Sequence, residues 1–210
     1  MKKILFTLSL IISTFCFAQK ELQPAGSEII ETVEGDLDGD KVPERVVIYN
    51  TIDEGELGKI REIQILKKSG GSWMILSKSR DAILESAGGG MMGDPYQSMA
   101  ISKGILSITQ AGGSSWKWGY TDKYRFQNGH FELIGYSSEF GRPGDYWAEV
   151  DFNLSTGQLN YKKEVENTKE YGHSKQETYI KKGMKIDLNN RNQKEPRKII
   201  LPKTKEKVYL

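Results

Sequence analysis

Trp116-Lys117-Trp118-Gly119-Tyr120-Thr121-Asp122-Lys123-Tyr124-Arg125-Phe126-Gln127-Asn128-Gly129-His130-Phe131-Glu132-Leu133-Ile134-Gly135-Tyr136 reads as one β-hairpin. Asn128-Gly129 is the strongest two-residue turn signal, because both positions tolerate positive φ. Pairing Gln127 with His130 across that turn sets Phe126 opposite Phe131, Arg125 opposite Glu132 and Tyr124 opposite Leu133. One face becomes aromatic and aliphatic, and the other carries a cross-strand charge pair. Turn chemistry and side-chain alternation thus specify the same register.

The same reading extends outward. A turn at Lys103-Gly104 sets Ser102 against Ile105, Ile101 against Leu106 and Met99 against Ile108. Ile60–Leu66 turns through Ser69-Gly70-Gly71 and returns through Trp73–Leu76, and Tyr146–Phe152 pairs with Gln158–Tyr161 around Ser155-Thr156-Gly157. Arg45–Tyr49 is a further strand, rich in Val, Ile and Tyr. Only Asp81–Glu85 and Glu164–Tyr171 suggest helix, and both are short. The expected fold is mainly β: an antiparallel meander of hairpins forming a barrel, sandwich or curved sheet, with few short helices. The β domain is expected over residues 19–165. Residues 166–210 form a polar, basic C-terminal segment with a late strand at Lys198–Leu201, and its lysines are expected to face water as a solvated tail or, alternatively, to contact a polyanion.

The N-terminus predicts export. Met1-Lys2-Lys3, the apolar run Ile4–Phe17 and the Cys16-Phe17-Ala18 exit have the three parts of a signal peptide spanning residues 1–18. The apolar run is short for a membrane span, and no later stretch is long or apolar enough to be one. The expected location is the periplasm or the extracellular surface. Cys16 is the chain's one cysteine, so cleavage after Ala18 leaves no disulfide, thiol nucleophile or cysteine metal site. Cleavage also removes two lysines and no acid, which takes the net charge from +2 to zero. A neutral domain of this kind is not built for nucleic acid or anionic surfaces.

The most chemical stretch is Gly35-Asp36-Leu37-Asp38-Gly39-Asp40-Lys41-Val42-Pro43-Glu44. Carboxylates at alternate positions of a turn converge on one point, and calcium favours several hard oxygens in a flexible shell. The expected ligands are Asp36, Asp38, Asp40 and Glu44, with the Val42 carbonyl completing the ring; without an ion, the same residues make a solvated acidic turn. An EF-hand is excluded, because Lys41 stands where the sharp turn favours Gly and Val47 where a bidentate Glu is required.

The D-x-D-x-D-x-x-x-E spacing followed by Val46-Val47-Ile48 resembles the calcium loops between strands of integrin-like FG-GAP/VCBS repeats. In order along the chain come Leu22–Gly26, the acidic loop, Ala82-Ile83-Leu84, Gly88–Tyr96, Gly112–Trp118, Tyr124–Gly129 and Leu133-Ile134-Gly135. Together these resemble a family of bacterial exported proteins carrying a single integrin-like calcium loop near the N-terminus. The resemblance covers roughly Leu22 to Tyr161. It implies export, a β-rich fold and bound structural Ca2+ at Asp36, Asp38, Asp40 and Glu44, and it implies no activity.

Other candidates are weaker. Trp116, Trp118 and Tyr120 share one strand face; exposed, they would stack on a sugar ring or aromatic ligand, whereas on the sheet's apolar face they pack as core. Gly88–Tyr96 and Gly112–Ser115 lack a phosphate loop's Lys-Ser/Thr and read as tight corners. If they meet, Asp94, Trp116 and Trp118 mark a possible ligand cleft. No catalytic residue is assigned: His130 and His173 lie near no triad signature. Glu139, Asp145, Glu149 and Asp151 are the carboxylates on which a glycosidase-type reading would depend. The expected function is a calcium-stabilised module binding an envelope or extracellular ligand. The alternatives are a hydrolase of an envelope or extracellular polymer, and a structural envelope protein.

Overall fold

The computed structural model describes residues 22–210. The signal-peptide reading falls on residues 1–18, outside the described residues. The described residues form two antiparallel sheets and a short C-terminal hairpin, with a single 3-10 turn at Gly90–Met92 and one helical turn, α1 (Thr168–Tyr171). The four-stranded sheet runs in order β1 (Glu28–Gly35), β2 (Glu44–Gly55), β3 (Gly58–Ser69), β4 (Ser72–Ser79). The seven-stranded sheet is the meander β5 (Tyr96–Ser102), β6 (Ile105–Gly113), β7 (Lys117–Gln127), β8 (His130–Arg142), β9 (Tyr146–Asn153), β10 (Gln158–Val165), β11 (Lys175–Ile180). The last hairpin pairs β12 (Lys198–Ile200) with β13 (Lys207–Tyr209). Neither sheet closes into a barrel among the described residues.

Alternation explains the layering. On β2 and β3, Val46, Ile48, Ile63 and Ile65 enter one core with Met99, Leu106, Ile108, Tyr124, Phe131 and Phe152 of the larger sheet. The opposite face of β2 and β3 holds Val47, Tyr49 and Leu66 under Leu22, Trp73 and Ile75. Both faces of these strands are therefore covered; β2 carries the apolar run Val46–Tyr49, whereas β3 alternates Ile63 and Ile65 with the buried polar residues Glu62 and Gln64.

The hairpin registers follow the sequence. Gln127–His130, Phe126–Phe131, Arg125–Glu132 and Tyr124–Leu133 are partners, and Asn128 and Gly129 both have positive φ, +54° and +79°. Ser102–Ile105, Ile101–Leu106 and Met99–Ile108 pair as expected.

Two expectations about irregular segments are corrected. Asp81–Glu85 is not helical: the Gln110 side chain accepts from the Leu84 N–H at 2.9 Å and donates to the Ala82 carbonyl. Tertiary contacts thus supply bonds that a helix would otherwise make internally. Glu164 lies in β10, and only Thr168–Tyr171 forms a helical turn.

The C-terminal segment is also not a solvated tail. Ile186, Leu188, Ile199, Leu201, Val208 and Leu210 are buried in the main core. Residues 186–188 pair with the start of β8 through Leu133 N–H to Ile186 O (2.8 Å) and Leu188 N–H to Phe131 O (3.0 Å). Glu177 of β11 accepts from the Lys203 and Thr204 N–H groups, fixing the turn between β12 and β13. The lysines point outward while apolar residues spaced two apart point inward. The late strand at Lys198 is β12.

Candidate functional site

The acidic loop joins β1 to β2, where Gly35 and Glu44 are the last paired residues. Leu37, 3% exposed, anchors it in the core. Above that anchor the chain coils around its own carboxylates. Asp36 accepts from the Gly39 N–H (2.7 Å) and the Lys41 N–H (3.1 Å), Asp38 from the Asp40 N–H (3.2 Å), and Asp40 from the Val42 N–H (2.7 Å). One oxygen from each of Asp36, Asp38 and Asp40 falls within 4.8 Å of the other two.

Glu44 is absent from that converging group and lies beneath it. Its side chain is fully buried, and Oε2 accepts from the Leu37 N–H at 2.8 Å and the Asp38 N–H at 3.4 Å. Oε1 is buried with no hydrogen-bond partner among the described residues. Burial raises the Glu44 pKa despite the two N–H donors. Val42 is exposed, with its N–H engaged by Asp40.

Lys67 of β3 was not foreseen in the sequence. Its ammonium bridges Asp38 and Asp40, at 2.8 Å from the latter. The signal that locates it is the β2–β3 register: Arg45 pairs with Leu66, which brings the next residue of β3 beside the end of the loop. The Lys67 hydrogen bond, followed by the Val42 N–H, holds the Asp40 carboxyl below its usual range. Asp36, Asp38, Asp40 and Glu44 set against Lys41 and Lys67 leave two negative charges uncompensated when all four acids are ionised. The donors are hard oxygens in a tight loop, which fits calcium. Lys67 already occupies two of these donors, Asp38 and Asp40, so an ion would have to compete with it.

Lys41 sits at φ +69°, beside Gly39 at φ +85°. The left-handed bend expected of Gly at this position is present, made by a residue whose Cβ disfavours it. Lys41→Gly is expected to stabilise the protein by about 0.5–1 kcal/mol, relief of that bend outweighing the greater freedom of glycine in the unfolded chain. Urea unfolding measures this; a loss of stability would mean that the Lys41 side chain contributes more than its backbone costs.

The two glycine-rich loops do meet, as backbone packed on backbone. The Gly113 N–H donates to the Gly89 carbonyl at 2.8 Å, and a Cβ on Gly112 would lie 2.7 Å from the Gly89 Cα. Asp94 turns from them to Arg61, which is 1% exposed and grips both carboxylate oxygens at 2.7 and 2.5 Å. Burial opposes ionisation of Asp94, but Arg61 and the Tyr96 N–H outweigh it and hold the carboxyl below its usual range. Asp94 thus clamps the loop to β3.

Trp118 stands beside these loops: it pairs with Gly112 across β6 and β7, and its ring edge comes 2.5 Å from where a Cβ on Gly112 would lie. Trp116 stacks on Phe140 with centroids 5.2 Å apart, and Trp118 stacks on Tyr120 at 6.0 Å. Trp118 and Tyr120 are only half buried and line a cavity of about 440 Å³ beneath β13. Of the four acids considered for hydrolysis, Glu139, Glu149 and Asp151 line a shallow depression in the same sheet, and Glu139 and Glu149 are partners on β8 and β9. Asp145 is ion-paired with Arg142. Among the described residues no helix is long and apolar enough to cross a membrane. The chain matches no protein-family model and no curated protein.

Proposed function

We propose that the protein is an exported, calcium-stabilised β domain that acts as a binding module for a ligand in the periplasm or at the cell surface. The observation that carries this reading is the convergence of Asp36, Asp38 and Asp40 above a buried Glu44 whose Oε1 has no partner among the described residues. A buried acceptor without a donor is costly, and a cation is the natural partner for a carboxylate oxygen. Calcium held there would tie the β1–β2 connection to the core through Leu37, so its role would be structural, with binding coupled to folding.

Lys67 supports a second reading, in which its ammonium is the permanent counter-ion and the loop is an acidic turn. Isothermal titration of the protein with calcium chloride separates the two. One binding site, lost in Asp36→Ala/Asp38→Ala, is expected from the first. No heat at millimolar calcium would leave Lys67 as the loop's cation.

A further inference from the structure

The inner face of the larger sheet changes character along its strands. Tyr124, Phe131 and Phe152 are at most 2% exposed, in contact with the smaller sheet's core residues. Toward the other end of the same strands Trp118, Tyr120 and Tyr146 are only half buried, and Phe140 is 41% exposed. These rings are left open because the covering element changes. Over them lies β13, whose Val208 is buried and whose Tyr209 is 48% exposed. The gap between ring face and hairpin is the cavity of about 440 Å³, within the usual range of about 300–1,000 Å³ for small-molecule sites.

The walls are held in place by contacts outside the cavity. Trp118, Tyr120 and Tyr136 form a run of near-parallel rings, each 6.0 Å from the next, with interplanar angles of 17° and 30°. Gln110 donates to the Tyr120 hydroxyl at 2.8 Å, and the Tyr136 hydroxyl donates to the Tyr209 carbonyl at 3.0 Å, tying sheet to roof. Phe140 is backed by Trp116 at an interplanar angle of 9°. The polar end is equally fixed: Lys163 lies 4.1 Å over the Tyr146 ring and 3.6 Å from Glu206, which Lys175 also grips at 2.6 Å. Rigid rings with a few convergent polar groups are the composition of a ligand site.

The chemistry of the walls narrows the ligand. The two charged groups at the polar end, Lys163 and Glu206, pair with each other at 3.6 Å, so neither is free to select an anion or a cation. Flat aromatic faces favour a ring with an apolar C–H face. An ammonium and a carboxylate side by side match neighbouring hydroxyls, which both donate and accept. We infer that this cavity binds a neutral saccharide, with a pyranose ring stacked on Trp118 and its hydroxyls directed to Lys163 and Glu206. The inference rests on the reading of the chain as a binding module and names the class of its ligand.

The test is titration of the protein with cellobiose, maltose and N,N′-diacetylchitobiose, each read by tryptophan fluorescence and by calorimetry, with indole as a planar apolar control. At least one disaccharide is expected to bind, and Trp118→Ala is expected to weaken it about tenfold or more, the size of a lost aromatic stacking contact. Phe140→Ala, at the exposed mouth, is expected to weaken it less and to fold with a somewhat lower thermal midpoint, since it loses a stack on Trp116 but no fully buried ring; it keeps the test valid should Trp118→Ala fail to fold. Indole binding that is lost in Phe140→Ala, without any disaccharide binding, would overturn the saccharide assignment and leave the module reading standing. No binding of any of the four probes would overturn the cavity as a ligand site, while calcium titration of the loop remains a separate measurement.

Discussion

Asp122→Ala is expected to lower the free energy of unfolding by about 3–5 kcal/mol, the range for breaking a buried ion pair by removing one partner. Asp122 and Arg191 have side chains only 2% exposed. The carboxylate takes the Arg191 Nε at 2.9 Å and Nη2 at 3.3 Å, and the Tyr124 hydroxyl at 3.1 Å. The Arg191 guanidinium lies 5.9 Å from the Tyr120 ring and 5.7 Å from the Tyr136 ring. Deleting Asp122 leaves that guanidinium in an apolar, aromatic setting with no counter-charge. The segment between Leu188 and Lys198 then loses its buried anchor and keeps contacts such as Gln193 N–H to the Asp81 carbonyl (3.2 Å) and Lys194 to Glu85 (2.7 Å). Desolvation already taxes the intact pair, so Asp122→Leu/Arg191→Met is expected to recover most of the loss and to lie within about 1 kcal/mol of the parent. Urea unfolding reads both. A single-variant loss below about 1 kcal/mol would mean that water reaches the pair, contrary to its burial.

That ion pair marks where sequence legibility ends. The hairpins were legible because two independent local signals had to agree. Asn128-Gly129 and Lys103-Gly104 supply positive φ, and the alternation of Phe126, Tyr124, Phe131 and Leu133 then admits one register. The agreement stops at Leu133. Beyond it the register shifts between Lys123 and Tyr124, so that Lys123 faces Gly135 and Tyr136 joins the inner face opposite Asp122. A bulge of this kind has no local composition that announces it.

Burial of Arg191 was equally hidden. Its partner lies far away in sequence, and its neighbours are polar, so charge counting places it in water. The acidic loop was half legible. Spacing located Asp36, Asp38 and Asp40, which do converge, but it treated Glu44 as their equal. Glu44 instead begins β2 on its buried side, beneath the loop. Lys67 stayed out of view because it arrives from the next strand, and only the β2–β3 pairing reveals it.

Lys67 therefore decides how the loop behaves, and its removal is expected to show this. In the parent protein, calcium at about 100 times its dissociation constant is expected to stabilise the native state by about 2.7 kcal/mol. For a domain of this size that raises the thermal midpoint by about 5–10 °C. On the proposed reading, part of the intrinsic binding strength would be masked, because Asp38 and Asp40 would have to release the ammonium first. Lys67→Met removes the competitor and keeps the aliphatic stem. Two changes are expected together: a lower midpoint in EGTA, since the converging carboxylates lose their cation and repel, and calcium affinity about tenfold higher, since no ion pair need be broken. The midpoint difference between calcium and EGTA should thus widen from both ends. If the calcium-free midpoint falls and calcium does not restore it, Lys67 is the loop's own cation and the metal assignment fails. A variant unchanged in EGTA but tighter for calcium would place the ammonium as a bystander whose only effect is to weaken the site. Only the combination of destabilisation and tighter binding matches an ammonium that holds two carboxylates together until a divalent ion displaces it.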